Sequence, residues 1–297
     1  MRIGVMYPTN RVPSDPGVVR AFAAAVSELG FDHVTTFDHV LGINRASRPE
    51  FNHFYDHTAH FDEPLTMLAY LAALLPDVEL ATSVLVLPQR QTAVVAKQAA
   101  QLDLLSSAGL RLGVGIGWNE VEFVALGQDF RTRASRMEEQ IEVMRRLWSE
   151  ELLTFEGRWD RVLDAGMNPL PSRRIPIWIG ASSDQAIRRA ARIGDGFLPR
   201  FPPGDEGLKA LDALRQHLGA ADRSHEDFGI DGMVGADDMM KHAITGAEEW
   251  ARDTQWWREQ GATHVTLWMH YGERWDVDAL IDAMRQFRAL VPSATQN

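Results

Sequence analysis

Apolar positions along this chain change their spacing again and again. Short segments that alternate or run continuously apolar are each followed by a longer stretch with apolar residues three and four apart, the signatures of a buried strand and an amphipathic helix. The pattern predicts strands at Arg2–Tyr7, His33–His39, Glu79–Leu87, Leu110–Gly115, Pro176–Gly180, Gly196–Arg200, Phe228–Val234 and His264–Met269. It predicts helices at Gly17–Leu29, Pro64–Leu75, Gln91–Ser106, Ala134–Trp148, Asp184–Ile193, Asp205–Leu218, Ala247–Gln260 and Val277–Leu290. Local start signals agree. Asp62-Glu63-Pro64 supplies a cap, an early acid and a first-turn proline, and Ser183 and Asp276 stand ready to cap two other helices.

Strand–helix units repeated in this way along 297 residues fit a closed (β/α)8 TIM barrel, with a doubly wound open sheet as the competing α/β arrangement. No Pro/Gly/Ser-rich linker divides the chain, so residues 1–297 read as a single domain. TFEGRWDRV interrupts the pattern as a small hairpin turning at Glu156-Gly157. Two long connections, Leu41–Asp62 and Gly117–Arg133, each follow the C-terminal end of a strand. That is the face on which barrels build their sites, and long loops there serve as lids or site walls.

The segment from Ala81 to Phe123 is the most informative. In its second strand Gly113, Gly115 and Gly117 share one face, while Leu112, Val114 and Ile116 share the other. A strand bare on one face leaves room for something flat, which points to a planar cofactor. The dinucleotide fingerprint is a poor alternative: it needs G-x-G-x-x-G at a strand-to-helix turn and an acid about 20 residues on, and here Trp118 follows Gly117 and the distant position falls near Arg133. The bland alternative is that the glycines only ease barrel packing.

Composition narrows the function classes. With 45% hydrophobic and 24% charged residues the chain has the balance of a soluble globular protein. The absence of cysteine excludes disulfides, thiolate metal sites and cysteine nucleophiles. No apolar run is long enough to cross a bilayer, and MRIGVMYP reads as a first strand, so cytoplasmic residence is expected. A net charge of −11 argues against nucleic acid or an anionic membrane as partner, though not against a small anion held locally.

Several groups could carry chemistry. Asp38-His39 closes the second strand; the histidine is well placed to move a proton, whereas Asp38 points the other way and is left to bond a ring edge or brace the loop. The competing reading is a loop-capping Asp beside a core histidine. His53, His57 and His60 cluster around Asp56, but the segment makes a poor helix and lacks an evident further ligand, so a substrate-facing lid is favoured over a metal site. Gly180, Ala181 and Ser182, with Ser183, end a strand and open a helix, an arrangement that lets backbone N–H groups approach an anion. Trp118 could border a ring, and arginines after strand ends, such as Arg90 and Arg200, could neutralise an acidic ligand.

Together MRIGVMYP, Asp38-His39, TSVLVLPQRQTAVVAKQAAQLDLLSSAGLRLGVGIGWNEVEF, RMEEQIEVMRRLW and IPIWIGASSDQAIRRAARIGDGFLP resemble the luciferase-like monooxygenase superfamily, in its branch that uses the deazaflavin coenzyme F420. The resemblance covers most of residues 1–200 and is poor over 201–263. It implies a (β/α)8 barrel with the cofactor ring at the C-terminal mouth, Asp38 and His39 at the ring, and His39 as the proton-transfer group. It implies that Ser83 and Val84 occupy a position where such proteins carry a non-prolyl cis peptide. It further implies ring and tail contacts at Gly113, Gly115, Gly117 and Asn119, and a phosphate held by Gly180, Ala181 and Ser182. In one respect the chain departs: some deazaflavin enzymes carry a glutamate acid directly after the glycines, whereas here Trp118 stands there and Glu120 is offset.

The expected activity is hydride transfer between F420 and a small organic substrate, with a homodimer implied by the resemblance. The alternative keeps the fold and uses reduced FMN with O2. A metal-dependent hydrolase would want a histidine pair ending the first strand, where Met6-Tyr7-Pro8 stands, and a non-catalytic flavin carrier would bind without turnover.

Overall fold

The computed structural model describes residues 1–51, 55–235, 246–269 and 276–292. In chain order its elements are β1 (Arg2–Met6), α1 (Pro16–Glu28), β2 (His33–Thr36), α2 (Pro64–Leu74), β3 (Glu79–Thr82), β4 (Leu85–Val86), α3 (Thr92–Leu105), β5 (Leu110–Gly115), α4 (Glu120–Ala125) and α5 (Arg133–Leu147). They continue with β6 (Leu153–Glu156), β7 (Arg161–Ala165), β8 (Ile177–Ala181), α6 (Asp184–Ile193), β9 (Gly196–Pro199), α7 (Asp205–Ala220), β10 (Gly229–Val234), α8 (Ala247–Glu259), β11 (His264–Leu267) and α9 (Val277–Leu290).

The parallel strands run β3-β2-β1-β11-β10-β9-β8-β5, and β3 pairs with β5 to close the ring. Closure decides for the barrel and against the open sheet. Leu112, Val114, Ile177 and Ile179 face outward into one continuous core with the helices, for example Val95, Ala99 and Ile187. The interior of the barrel is filled differently at its two ends. At the N-terminal end Arg111 bonds Asp231 at 2.9 Å and Glu79 at 2.6 Å and lies 4.4 Å over the Trp178 ring, with His33 against Asp231 and Thr266. Glycines make room for this plug. A Cβ at Gly4 would strike the His33 ring, and Cβ atoms at Gly196 and Gly229 would strike Trp178. Toward the C-terminal mouth the filling turns apolar, with Met6, Phe37, Met233 and Trp268 packed together.

Departures from the sequence reading concentrate at the mouth. β2 stops at Thr36, so Phe37, Asp38 and His39 lie beyond the strand. The predicted strand Glu79–Leu87 breaks into β3 and β4 at a cis Ser83-Val84 peptide. The long connection after β5 contains α4, a short helix not foreseen in the pattern. The hairpin β6–β7 forms, but Glu156 pairs with Arg161, so it turns through residues 157–160; Glu139 of α5 holds that turn by accepting from the N–H groups of Arg158, Trp159 and Asp160 at 2.7–2.8 Å. Ser183 and Asp276 cap α6 and α9 as expected. For α2 the cap is Glu63, whereas Asp62 pairs with the hydroxyls of Thr9 and Ser14.

Candidate active site

The site grows from the ends of β2, β3 and β5. The face of Gly113 and Gly115 is not bare. A Cβ at Gly113 would lie 1.9 Å from the Thr82 carbonyl oxygen, and one at Gly115 would lie 2.6 Å from a methyl of Val84. A Cβ at Gly180, on the neighbouring strand β8, would lie 2.8 Å from the other Val84 methyl. These glycines therefore admit the protein's own β3–β4 turn, and Val84 forms the shelf that faces the mouth. That corrects the expectation of an open glycine face for a ring to lie on. Gly117 contributes differently: its φ of +70° turns the chain out of β5 and into α4.

Asp38 and His39 diverge beyond β2. Asp38 is buried and accepts from Nη2 and Nε of the Arg90 guanidinium, at 2.8 and 3.1 Å, and from the Val86 N–H at 3.0 Å. Burial pushes its carboxyl up, and Arg90 and the Val86 N–H pull against that. Arg90 also reaches Glu63 at 2.8 Å; burial works against its charge, but Asp38 and Glu63 more than offset it and hold the guanidinium protonated. Asp38 thus braces the loop to β4, the bracing role raised from sequence.

His39 turns the opposite way, into an aromatic box of Phe37, Phe61, Tyr55 and Trp118, with ring centroids 4.3–6.5 Å from its own. Its Nδ1 lies 2.6 Å from the Tyr55 hydroxyl and 3.4 Å from both oxygens of Glu122. Glu122 is buried, 1% exposed, and accepts from the backbone N–H groups of Val40 (2.7 Å) and Leu41 (3.1 Å) and from the Gln89 side chain (3.2 Å). Burial alone would raise this carboxyl; His39 and the donors around it reverse that and leave it below its usual range. Burial, reinforced by Glu122, pushes the Tyr55 phenol far above its ordinary range, so it stays neutral.

Neither Glu122 nor Tyr55 stood out in the sequence. The signal for Glu122 was present as Asn119-x-x-Glu122, the spacing of a helix cap and its third residue. Asn119 does cap α4, accepting from Val121 N–H, and also donates to the Leu41 carbonyl at 3.2 Å and the Tyr55 hydroxyl at 3.4 Å. It is fully buried, so its side chain is committed to holding the loop.

At the far side of the mouth Gly180 is half-buried and Ser182 exposed, while Ala181 points into the outer core and offers only backbone. Ser183 occupies the Ala186 N–H of α6, and the helix's first residue, Asp184, is turned toward His217 at 2.8 Å. Arg200, just after β9, lies 4.6 Å over the Trp268 ring. Of the sequence's histidine cluster, His57 and His60 are exposed, and His53 lies outside the described residues. His60 approaches Ser14 at 2.6 Å and Asp62 at 3.4 Å through the same Nε2, so the three do not form a nucleophile relay, which needs the acid on the other nitrogen.

Comparison with known proteins adds to this geometry. Residues 1–296 match the family model for luciferase-like monooxygenases. An F420-dependent glucose-6-phosphate dehydrogenase of Kineococcus radiotolerans is 30% identical over 80% of this chain and 69% of its own length. One of Intrasporangium calvum is 33% identical over 70% of this chain and 60% of its own length. The matched region therefore spans roughly two thirds of these relatives. Among solved structures, an F420-dependent secondary alcohol dehydrogenase in complex with an F420-acetone adduct superposes with a TM-score of 0.77 at 18% identity, covering 98% of both chains. The monooxygenase RslO1 from Streptomyces bottropensis gives 0.77 at 22% with the same coverage. At those identities the structures speak for the fold alone.

Proposed function

The chain belongs to the luciferase-like monooxygenase family, and on that premise we propose that it is an F420-dependent oxidoreductase that moves a hydride between the deazaflavin and a small organic substrate. The observation that carries this reading is the mouth itself. It combines a nonpolar shelf at Val84, backed by Gly115 and Gly180, with a histidine boxed by the rings of Phe37, Tyr55, Phe61 and Trp118. A flat, largely apolar ring fits that shelf. The F420-dependent relatives favour the deazaflavin over FMN.

When bound, the deazaflavin supplies the hydride chemistry at its ring. The protein's part is to bind, exclude water and handle one proton. His39 is the proton-transfer residue. Ser83 and Val84 border the ring, with Gly113 and Gly115 acting behind them by making room for the β3–β4 turn and Gly117 by turning the chain into α4. Gly180, Ser182 and the Ala181 backbone would hold the phosphate at the start of α6, where a helix leaves its first N–H groups unpaired. Asp38 and Asn119 hold the ring's surroundings in place from behind.

The substrate is a small organic alcohol or its carbonyl counterpart with apolar surface to set against Phe37, Phe61 and Trp118. The net charge of −11 argues against nucleic acid as a partner, and no helix among the described residues is long and apolar enough to cross a membrane. We take the enzyme to act in the cytoplasm as a homodimer, the latter supported by exposed Tyr70, Val94 and Leu105 on α2 and α3.

The test is an anaerobic assay of the protein with oxidised F420 and a panel of primary and secondary alcohols and glucose 6-phosphate, beside an aerobic assay with reduced FMN. Bleaching of the deazaflavin by at least one alcohol, reduced ~10²-fold or more in His39→Asn, is expected. Substrate-dependent oxygen uptake with FMN and no deazaflavin bleaching would overturn the reading.

A further inference from the structure

His39 presents a choice that its surroundings resolve. A neutral imidazole carries its proton on one nitrogen and a lone pair on the other, and the neighbours of one nitrogen decide which. Here two groups meet Nδ1: the Tyr55 hydroxyl at 2.6 Å and the Glu122 carboxylate, both oxygens at 3.4 Å. A hydroxyl can donate or accept; an ionised carboxylate can only accept. Glu122 is fully enclosed, and its remaining contacts, the Val40 and Leu41 N–H groups and the Gln89 amide, are all donors that favour the anion. The Tyr55 oxygen in turn receives the Asn119 amide at 3.4 Å.

We infer that Glu122 is a positioning residue that fixes the His39 proton on Nδ1 and leaves the Nε2 lone pair as the proton acceptor for the substrate. Its role as acceptor rests on the reading of His39 as the proton-transfer group; the tautomer does not. With Nδ1–H shared between Tyr55 and Glu122, a proton arriving at Nε2 makes an imidazolium whose charge sits beside a buried carboxylate. Glu122 thus orients the ring before transfer and stabilises the charge that transfer creates, as a buried acid does behind a catalytic histidine. For an alcohol substrate the balance is simple: the O–H proton goes to Nε2, the C–H hydride goes to the oxidised deazaflavin, and the alcohol becomes a carbonyl. Glu122 comes from the loop helix after β5, while His39 lies three residues beyond β2, so the pair also ties together the two walls of the mouth.

The test is ¹⁵N NMR of the full-length protein labelled at its histidine rings, without cofactor or substrate, with the His39 signals assigned by their loss in His39→Asn. In the neutral ring the structure requires a protonated, pyrrole-type Nδ1 and a bare, pyridine-type Nε2. Glu122→Gln should reverse this. An amide can keep accepting from Val40 and Leu41 N–H and can donate to the buried Gln89 oxygen, so the loop stays anchored, but the neutral side chain no longer demands a proton on Nδ1 and Tyr55 becomes free to donate there. With F420 and a substrate found as above, the same variant should lose ~10²-fold or more in kcat with KM unchanged. A bare Nδ1 in the unaltered protein would overturn the inference, as would a Glu122→Gln spectrum with the original tautomer. If the tautomer is as stated but His39→Asn keeps full turnover, the positioning role of Glu122 stands and the proton-transfer reading of His39 falls.

Discussion

At the scale of single residues, the site is held by buried charges with defined partners. Asp38 is 2% exposed and Arg90 gives it a two-point bond, so replacing Arg90 by Met strands a carboxylate in the interior. Breaking a buried pair from one side typically costs ~3–5 kcal/mol. Denaturant unfolding of Arg90→Met should show a loss of that order, and Arg90→Met with Asp38→Asn should recover part of it. The deficit should narrow as pH falls, because protonation of Asp38 in the folded variant removes the unpaired charge. His39 and Asp38 could be singled out in the sequence because they close the predicted second strand, and the structure places them just beyond β2, on the face where barrels place chemistry. Glu122 and Tyr55 were not, because Glu122 reaches His39 from 83 residues along the chain and Tyr55 folds back on it from the same connection, both through loop conformations that periodicity does not encode. Asn119 was legible as a residue of interest, and its cap spacing to Glu122 was written locally, but its bonds to Leu41 and Tyr55 come from the folded loop alone.

At the scale of elements, the glycines of β5 show how a correct pattern can have a different occupant. Their alternation did mark the mouth of the barrel, yet the space they leave is filled by Val84 and the Thr82 carbonyl from the β3–β4 turn. Strand spacing reveals that a side chain is missing and not what takes its place. Gly115→Ala should therefore destabilise by about 1–3 kcal/mol through overpacking against Val84. Combining it with Val84→Ala, which removes the clashing methyl, should cost less than the sum of the two single changes in a double-mutant cycle. Strict additivity would mean that the two residues do not meet. The helices were read well because their caps are written locally, at Ser183 and Asp276, whereas α4 was missed because at six residues it is too short for a periodic signal.

At the scale of the molecule, the closed parallel barrel follows from strand–helix repetition and from strand faces that separate an outer aliphatic core from a differently filled interior. The interior divides the labour along the barrel axis. A charged and aromatic plug around Arg111, Asp231, His33 and Trp178 seals the N-terminal end, and a nonpolar, aromatic cluster lies toward the mouth at the other. The buried plug was not foreseen, since its members are scattered from Gly4 to Thr266 and meet only when the ring closes. The same architecture serves oxygenases and hydride-transfer enzymes, so the fold does not choose the cofactor. The most direct test of the account is an equilibrium fluorescence titration of the full chain with oxidised F420 and, in parallel, with FMN. Saturable binding of F420 at one site per chain, with FMN at least ~10-fold weaker, a difference of about 1.4 kcal/mol, is the predicted result. Tighter binding of FMN, or binding of neither, would contradict it.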